Sequence, residues 1–181
     1  MAEVIELERF RQKVAADQGF RTWLHRFREQ FGPDTRFKDL SDQTLLFLAM
    51  PGEENLFVLI DLVMGAQGLG GSARFRLDNL EIAAKQNILD LSLALLDRAR
   101  LEVMRRLGWV AAVPDENLAL IQLIKEGQAA ARTTPLPLPT LSPQHPQFEE
   151  YQSLPPRDQG IFLRRLIPQA VNEFRRRLEG D

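Results

Sequence analysis

Arginines near the C-terminus are the residues of this chain best suited to bind another molecule. Arg164, Arg165, Arg175, Arg176 and Arg177 belong to a segment, 157–181, that carries six arginines against four acids. Arg164 and Arg175 lie eleven residues apart, about three helical turns, so they share a face if one helix continues past position 168. Such a face fits an acidic partner or nucleic acid. The alternative is a set of cations favoured at a helix C-terminus and paired within the chain.

Two carboxylates are candidates for the polar anchors of a ligand pocket. Asp61 is the single charge in the apolar stretch 55–64, and buried carboxylates often mark functional sites. It can instead share an exposed strip with Glu54, seven residues earlier. Asp90 and Asp97 lie two turns apart on a long predicted helix, where solvated side chains are the commoner outcome.

His25 is the third candidate anchor. Arg21 and Arg28 flank it on one predicted helical face, an arrangement that suits an anion or simply faces solvent. The chain has two histidines and no cysteine, so thiol catalysis and cysteine-based zinc sites are excluded and imidazole chemistry has little to work with.

Known sequence signatures for catalysis, metals and cofactors are missing. Helical carboxylate metal sites use a Glu-x-x-His pair, but Thr22 precedes His25 and Ser142 precedes His145 at that spacing. The glycines at 68–71 are not followed by the lysine of a phosphate-binding loop, which favours a turn. We therefore expect no metal and no cofactor.

The near-balanced charge, the lack of a targeting signal and the short apolar runs predict a soluble protein. The formal net charge is −2, from 23 basic and 25 acidic residues, whereas nucleic-acid binders usually show a basic excess, so we do not expect nucleic acid as the main partner. The N-terminus lacks a basic region followed by an apolar one, and the apolar runs are far shorter than a membrane span of about 20 residues. These features predict a cytoplasmic protein without membrane contact.

Apolar periodicity predicts helices throughout the chain. Val4, Leu7, Phe10 and Val14 recur at roughly helical spacing in the first predicted helix. The segment 53–64 is apolar nearly all round, which is typical of a helix buried in a core or an interface.

The longest helix is expected at about 78–107. Asp78 and Glu81 resemble a capping box at its start, and Glu102 with Arg106 forms an i,i+4 pair that we expect on the solvent side. In the last helix, Pro168 is expected to cause a kink or a division.

The predicted fold is all-α: a single helical-bundle domain of six to seven helices around the long central helix. We divide the chain into a helical core at 1–132, a proline-rich extended arm at 133–147 and a C-terminal helical segment at 148–181. The arm holds five of the eleven prolines. Its leucines suggest that it lies on its own subunit or on a partner.

These features favour a non-enzymatic protein that acts through protein–protein contacts, as an oligomeric scaffold, adaptor or regulator. Its expected partner is a second copy of itself or another protein. One alternative is a helical ligand sensor or enzyme with a mainly apolar pocket beside the long helix, anchored by Asp61, Asp90 or His25. A weaker alternative is nucleic-acid contact through the C-terminal arginines.

Overall fold

The predicted all-α fold is confirmed by a computed structural model, which describes residues 2–70, 77–130 and 137–180. These residues contain eight α-helices, one more than the upper prediction, because 148–153 forms a short helix instead of a turn. The helices are α1 (Ala2–Gly19), α2 (Arg21–Phe27), α3 (Asp42–Ala49), α4 (Glu53–Ala66), α5 (Ile82–Arg106), α6 (Leu120–Ala129), α7 (Phe148–Ser153) and α8 (Pro156–Glu179). Single 3-10 turns lie at Phe37–Asp39 and Leu77–Asn79.

Helix α4 forms part of the core. Its apolar residues from Val58 to Met64 are almost all buried, and α1, α2, α3, α5 and α6 pack against it. The buried indole of Trp23 donates a hydrogen bond to the carbonyl of Val58 at 2.9 Å, which joins α2 to α4. Helices of the same chain therefore account for the apolar residues that α4 carries on nearly all sides.

The C-terminal ends of α1 and α4 cross, and Gly19 of α1 contacts Gly65 of α4 at the crossing. A Cβ atom on Gly65 would lie 2.5 Å from the carbonyl oxygen of Gln18 and 2.9 Å from Cα of Gly19. Because both obstacles are backbone atoms, a larger residue at position 65 would force the two helices apart. The first turns of α1 lie beyond this crossing.

Helix α5 is the long helix that the sequence predicts, and it packs against α3, α4, α6 and α8. Its 25 residues span about 37 Å. It begins later than predicted because residues 77–79 form a 3-10 turn and Glu81 precedes the first helical residue in an extended conformation. The predicted capping box is wrong, because Asp78 lies within the 3-10 turn and Glu81, not Asp78, is the N-cap residue of the helix.

The expectation that Glu102 lies on the solvent side of α5 is also wrong, since only 2% of the residue is exposed. Its carboxylate accepts two hydrogen bonds from Arg105, both at 2.7 Å, and one from Arg106 at 3.0 Å. Arg106 also pairs with Asp42 at the start of α3. It further donates to three carbonyl groups before that helix, those of Phe37, Lys38 and Leu40. The segment before α3 thus covers this part of α5 and removes Glu102 from water.

Residues 137–147 contain no helix and pack on the rest of the chain. Leu141 is 1% exposed and forms an isolated antiparallel bridge with Val110. The next amide, of Ser142, donates to the carbonyl of Trp109 at 2.7 Å. The extended arm at 133–147 as a whole remains a prediction, because 133–136 lie outside the described residues.

Helix α8 continues through Pro168 as one helix, so of the two predicted effects, a kink or a division, the division does not occur. Proline removes one helical hydrogen bond and crowds the preceding turn. Buried side chains on both sides of it, including Leu166 and Ala170, hold the two halves against the core.

We predict that Glu102→Gln lowers the free energy of unfolding by about 2–3 kcal/mol, because it removes the buried charge that pairs with both arginines: Arg105 loses this salt bridge, and Arg106 keeps the one to Asp42. Glu173 is a matched control: it also binds arginines three and four residues later, Arg176 and Arg177, but on the exposed side of α8. Glu173→Gln should cost less than about 1 kcal/mol. Urea denaturation measures both; equal losses would contradict the role given to burial.

A second prediction concerns His145, whose ring lies edge-on to Trp109 with centroids 4.8 Å apart. Burial lowers the pKa of His145 below its usual value of about 6.5, because the charged imidazole loses hydration. The unfolded chain therefore binds this proton more readily. This contribution to stability is complete above pH 6.5 or so and declines as the pH falls toward the lower native pKa.

NMR titration of the native protein should give His145 a lower midpoint than titration in urea. His145→Gln should reduce the loss of stability on acidification, whereas His25→Gln, on the exposed surface of α2, should leave it in place. A native midpoint at or above the value in urea would refute the prediction.

Candidate functional site

The three predicted pocket anchors do not converge on one site. Asp61 lines a cavity of about 320 Å³ near the α1–α2 junction, together with Gln18 and Arg21. Asp90 and His25 do not line that cavity. Asp90 accepts a hydrogen bond at 2.8 Å from Gln86, one turn earlier on α5, and His25 is exposed on α2.

The C-terminal arginines separate into two groups. Arg175 lies 3.5 Å from the side-chain oxygen of Asn172, while Arg176 and Arg177 pair with Glu173 at 3.2 and 3.3 Å. These are the local contacts of a solvated helix end. Arg165 is exposed.

Arg164 instead turns toward α5, where it donates to Asp97 at 2.9 Å. Although Arg164 and Arg175 lie three turns apart on a continuous helix, they have different surroundings. The structure therefore separates Arg164 from the other arginines and brings it to the long helix.

A cavity of about 270 Å³ lies where α8, α5 and the α3–α4 junction meet. Its apolar lining comes from the α3–α4 junction and from α8, through Ala49, Pro51, Ile167, Pro168 and Val171. Asp97 and Arg100 contribute from α5, and Arg164 and Asn172 from α8. A mainly apolar cavity with a few polar groups is the usual form of a small-molecule site.

Arg100 is the one charged residue of this cavity that the sequence patterns do not indicate. Its Nε–H donates to the carbonyl of Ala49, at the end of α3, at 3.2 Å. Burial lowers the pKa of this guanidinium, and the negative charge of Asp97 opposes that shift. The only sequence signal for it is its position one turn after Asp97 on the predicted helix.

A second surface that stands out is the first part of α1, which bears large exposed apolar side chains. The exposed fractions are 70% for Val4, 50% for Leu7, 63% for Phe10 and 36% for Val14. These are the residues whose spacing predicts an amphipathic helix. The helix forms, but the rest of the described chain does not cover this stripe.

Within the described residues, no group of three or more histidine, cysteine, aspartate or glutamate side chains could hold a metal ion. The described helices include none that is long and apolar enough to cross a membrane. Comparison with models of known protein families, with curated proteins and with solved structures finds no match for this chain.

Proposed function

We propose that this chain is a non-enzymatic protein that acts through protein–protein contacts, as an oligomeric scaffold, adaptor or regulator, and that it self-associates through α1. The observation that carries the proposal is the exposed stripe of Val4, Leu7, Phe10 and Val14. Contiguous apolar surface on a folded protein typically marks an interaction site.

The stripe points away from the core. At 3.6 residues per turn, Leu7, Phe10 and Val14 lie within one narrow sector of α1. Ala16 and Gly19, which are buried near α4, lie roughly opposite. The salt bridge from Lys125 of α6 to Glu8 holds the middle of α1 to the rest of the chain. A helix that is packed on the chain through one side and bears an outward apolar stripe on the other is well suited to pack against another helix.

The charges beside the stripe favour a second copy in antiparallel orientation. Glu6 and Lys13 are both exposed and flank the stripe on the Phe10 side, while Arg11 lies on the opposite side of Leu7, next to Val4. When two helices pack antiparallel, equivalent edges face each other, so Glu6 of each copy meets Lys13 of the other. Two opposite-charge pairs then form around a two-fold axis, as an isologous dimer requires.

A parallel arrangement brings opposite edges together instead. Lys13 of one copy then faces Arg11 of the other, and like charges at such positions oppose association. The charge order along α1 therefore supports one orientation over the other. Burying the exposed parts of Leu7 and Phe10 supplies the attraction: full burial of a large apolar side chain contributes about 1.5–3 kcal/mol, and roughly half of this remains to be gained here because the two residues are 50% and 63% exposed.

The test is charge reversal combined with mass measurement by analytical ultracentrifugation over a range of concentrations. We expect a dimer for the native chain and weaker dimerisation for Glu6→Lys and for Lys13→Glu, each of which creates like-charge pairs. The double variant E6K/K13E should restore the native dissociation constant, because it exchanges the partners of both pairs.

Phe10→Ser should raise the dimer dissociation constant about tenfold or more. Ile161→Ser is its matched control, since Ile161 is also an exposed apolar residue, 52% accessible, but lies on α8. A native chain that stays monomeric at all concentrations, or a double variant no better than the single ones, would refute self-association through α1.

A further inference from the structure

We infer that the cavity between α5 and α8 binds a small organic monoanion, a carboxylate on a compact apolar body, with Arg100 as the residue that binds the carboxylate. This site is separate from the α1 surface and goes beyond the proposed self-association.

The charged side chains that line the cavity carry a net charge of +1, from two arginines and one aspartate. Arg100, Arg164 and Asp97 are its charged residues. Asp97 accepts a hydrogen bond from Arg164 at 2.9 Å and forms a salt bridge with it, which neutralises both. Arg100 remains as a half-buried cation that no carboxylate contacts directly among the described residues. An anion in the cavity would complete the pairing.

The geometry of Arg100 explains why a carboxylate fits. Its Nε–H is occupied by the carbonyl of Ala49 at 3.2 Å, which fixes the position of the guanidinium. Its two terminal NH₂ groups make no hydrogen bond within the described part of the chain. Paired guanidinium donors match the two oxygens of a carboxylate, and a charge-assisted pair of this kind is stronger than a neutral hydrogen bond.

The remaining walls determine the rest of the ligand. Pro51, Ile167 and Val171 offer only apolar contacts, which favours a hydrocarbon body. The volume of about 270 Å³ exceeds the roughly 150 Å³ of an apolar cavity that binds benzene. A ring of that size that carries a carboxylate, such as benzoate, therefore has room in it. Asp97 lines the same cavity and disfavours a second negative charge, so a monoanion fits better than a dianion or a polyphosphate.

The experiment is a titration of the full chain with benzoate and, in parallel, with benzamide, which has nearly the same shape and no charge. Backbone NMR shifts and isothermal calorimetry report binding. We expect saturable benzoate binding with shifts concentrated at residues near Arg100 and Arg164, and binding of benzamide weaker by about tenfold or more.

Two variants test the role of the cavity. Arg100→Gln should weaken benzoate binding by about tenfold or more, whereas Arg165→Gln, on the exposed surface of α8, should leave it unchanged. Because Arg100 also binds the carbonyl of Ala49, a second variant, Ile167→Phe, tests the site by filling it while retaining both arginines. It should also weaken binding.

The inference is overturned if benzoate does not saturate the protein at millimolar concentrations, or if benzamide binds equally well. It is also overturned if Arg100→Gln and Ile167→Phe, both folded by circular dichroism, bind benzoate as tightly as the native chain, or if Arg165→Gln weakens binding as much as Arg100→Gln does. The α1 variant E6K should bind benzoate like the native chain, so that failure of either proposal can be recognised separately.

Discussion

The carboxylate of Glu102 is the interior charge on which the arrangement of the central helices depends. It accepts hydrogen bonds from Arg105 and Arg106, and Arg106 extends from α5 to the backbone before α3. A buried carboxylate is costly unless it is paired and fully hydrogen-bonded. These two guanidinium groups meet that requirement, and the same contacts fix where α3 begins. The position of α3 relative to α5 thus follows from one local cluster of charges.

The far end of α3 contributes to the cavity beside α8. Ala49 closes α3 with a carbonyl that accepts from Arg100, six residues before Arg106 on α5. The two arginines therefore hold the two ends of α3, one through Asp42 and the other through Ala49. Because both come from the same rigid helix, the cavity wall and the covered carboxylate form a single unit. The α1 surface is held separately, through the close glycine contact with α4.

Sequence patterns predicted the helices well because apolar periodicity is a local property. They predicted the amphipathic spacing of Val4, Leu7, Phe10 and Val14 but not that the stripe is exposed, since exposure depends on which elements reach it. The pairing of Glu102 with Arg106 was also predicted, yet its burial follows from residues 37–40, far away in sequence. The role of Arg100 could not be predicted from the sequence, because its hydrogen-bond partner is the backbone carbonyl of Ala49, fifty-one residues away. Exposure, burial and long-range hydrogen bonds depend on how distant segments pack together, and local sequence patterns do not contain that information.

The two tryptophans lie in different regions of the molecule and therefore report on them separately. Trp23 is fully buried among the rings of Phe20, Phe27 and Phe31. Trp109 is half-buried against His145 and joins the backbone of residues 141–142 to the end of α5. Intrinsic fluorescence of single-tryptophan variants therefore separates loss of the aromatic core from release of the 137–147 segment. The native chain already carries both optical probes, with no attached label.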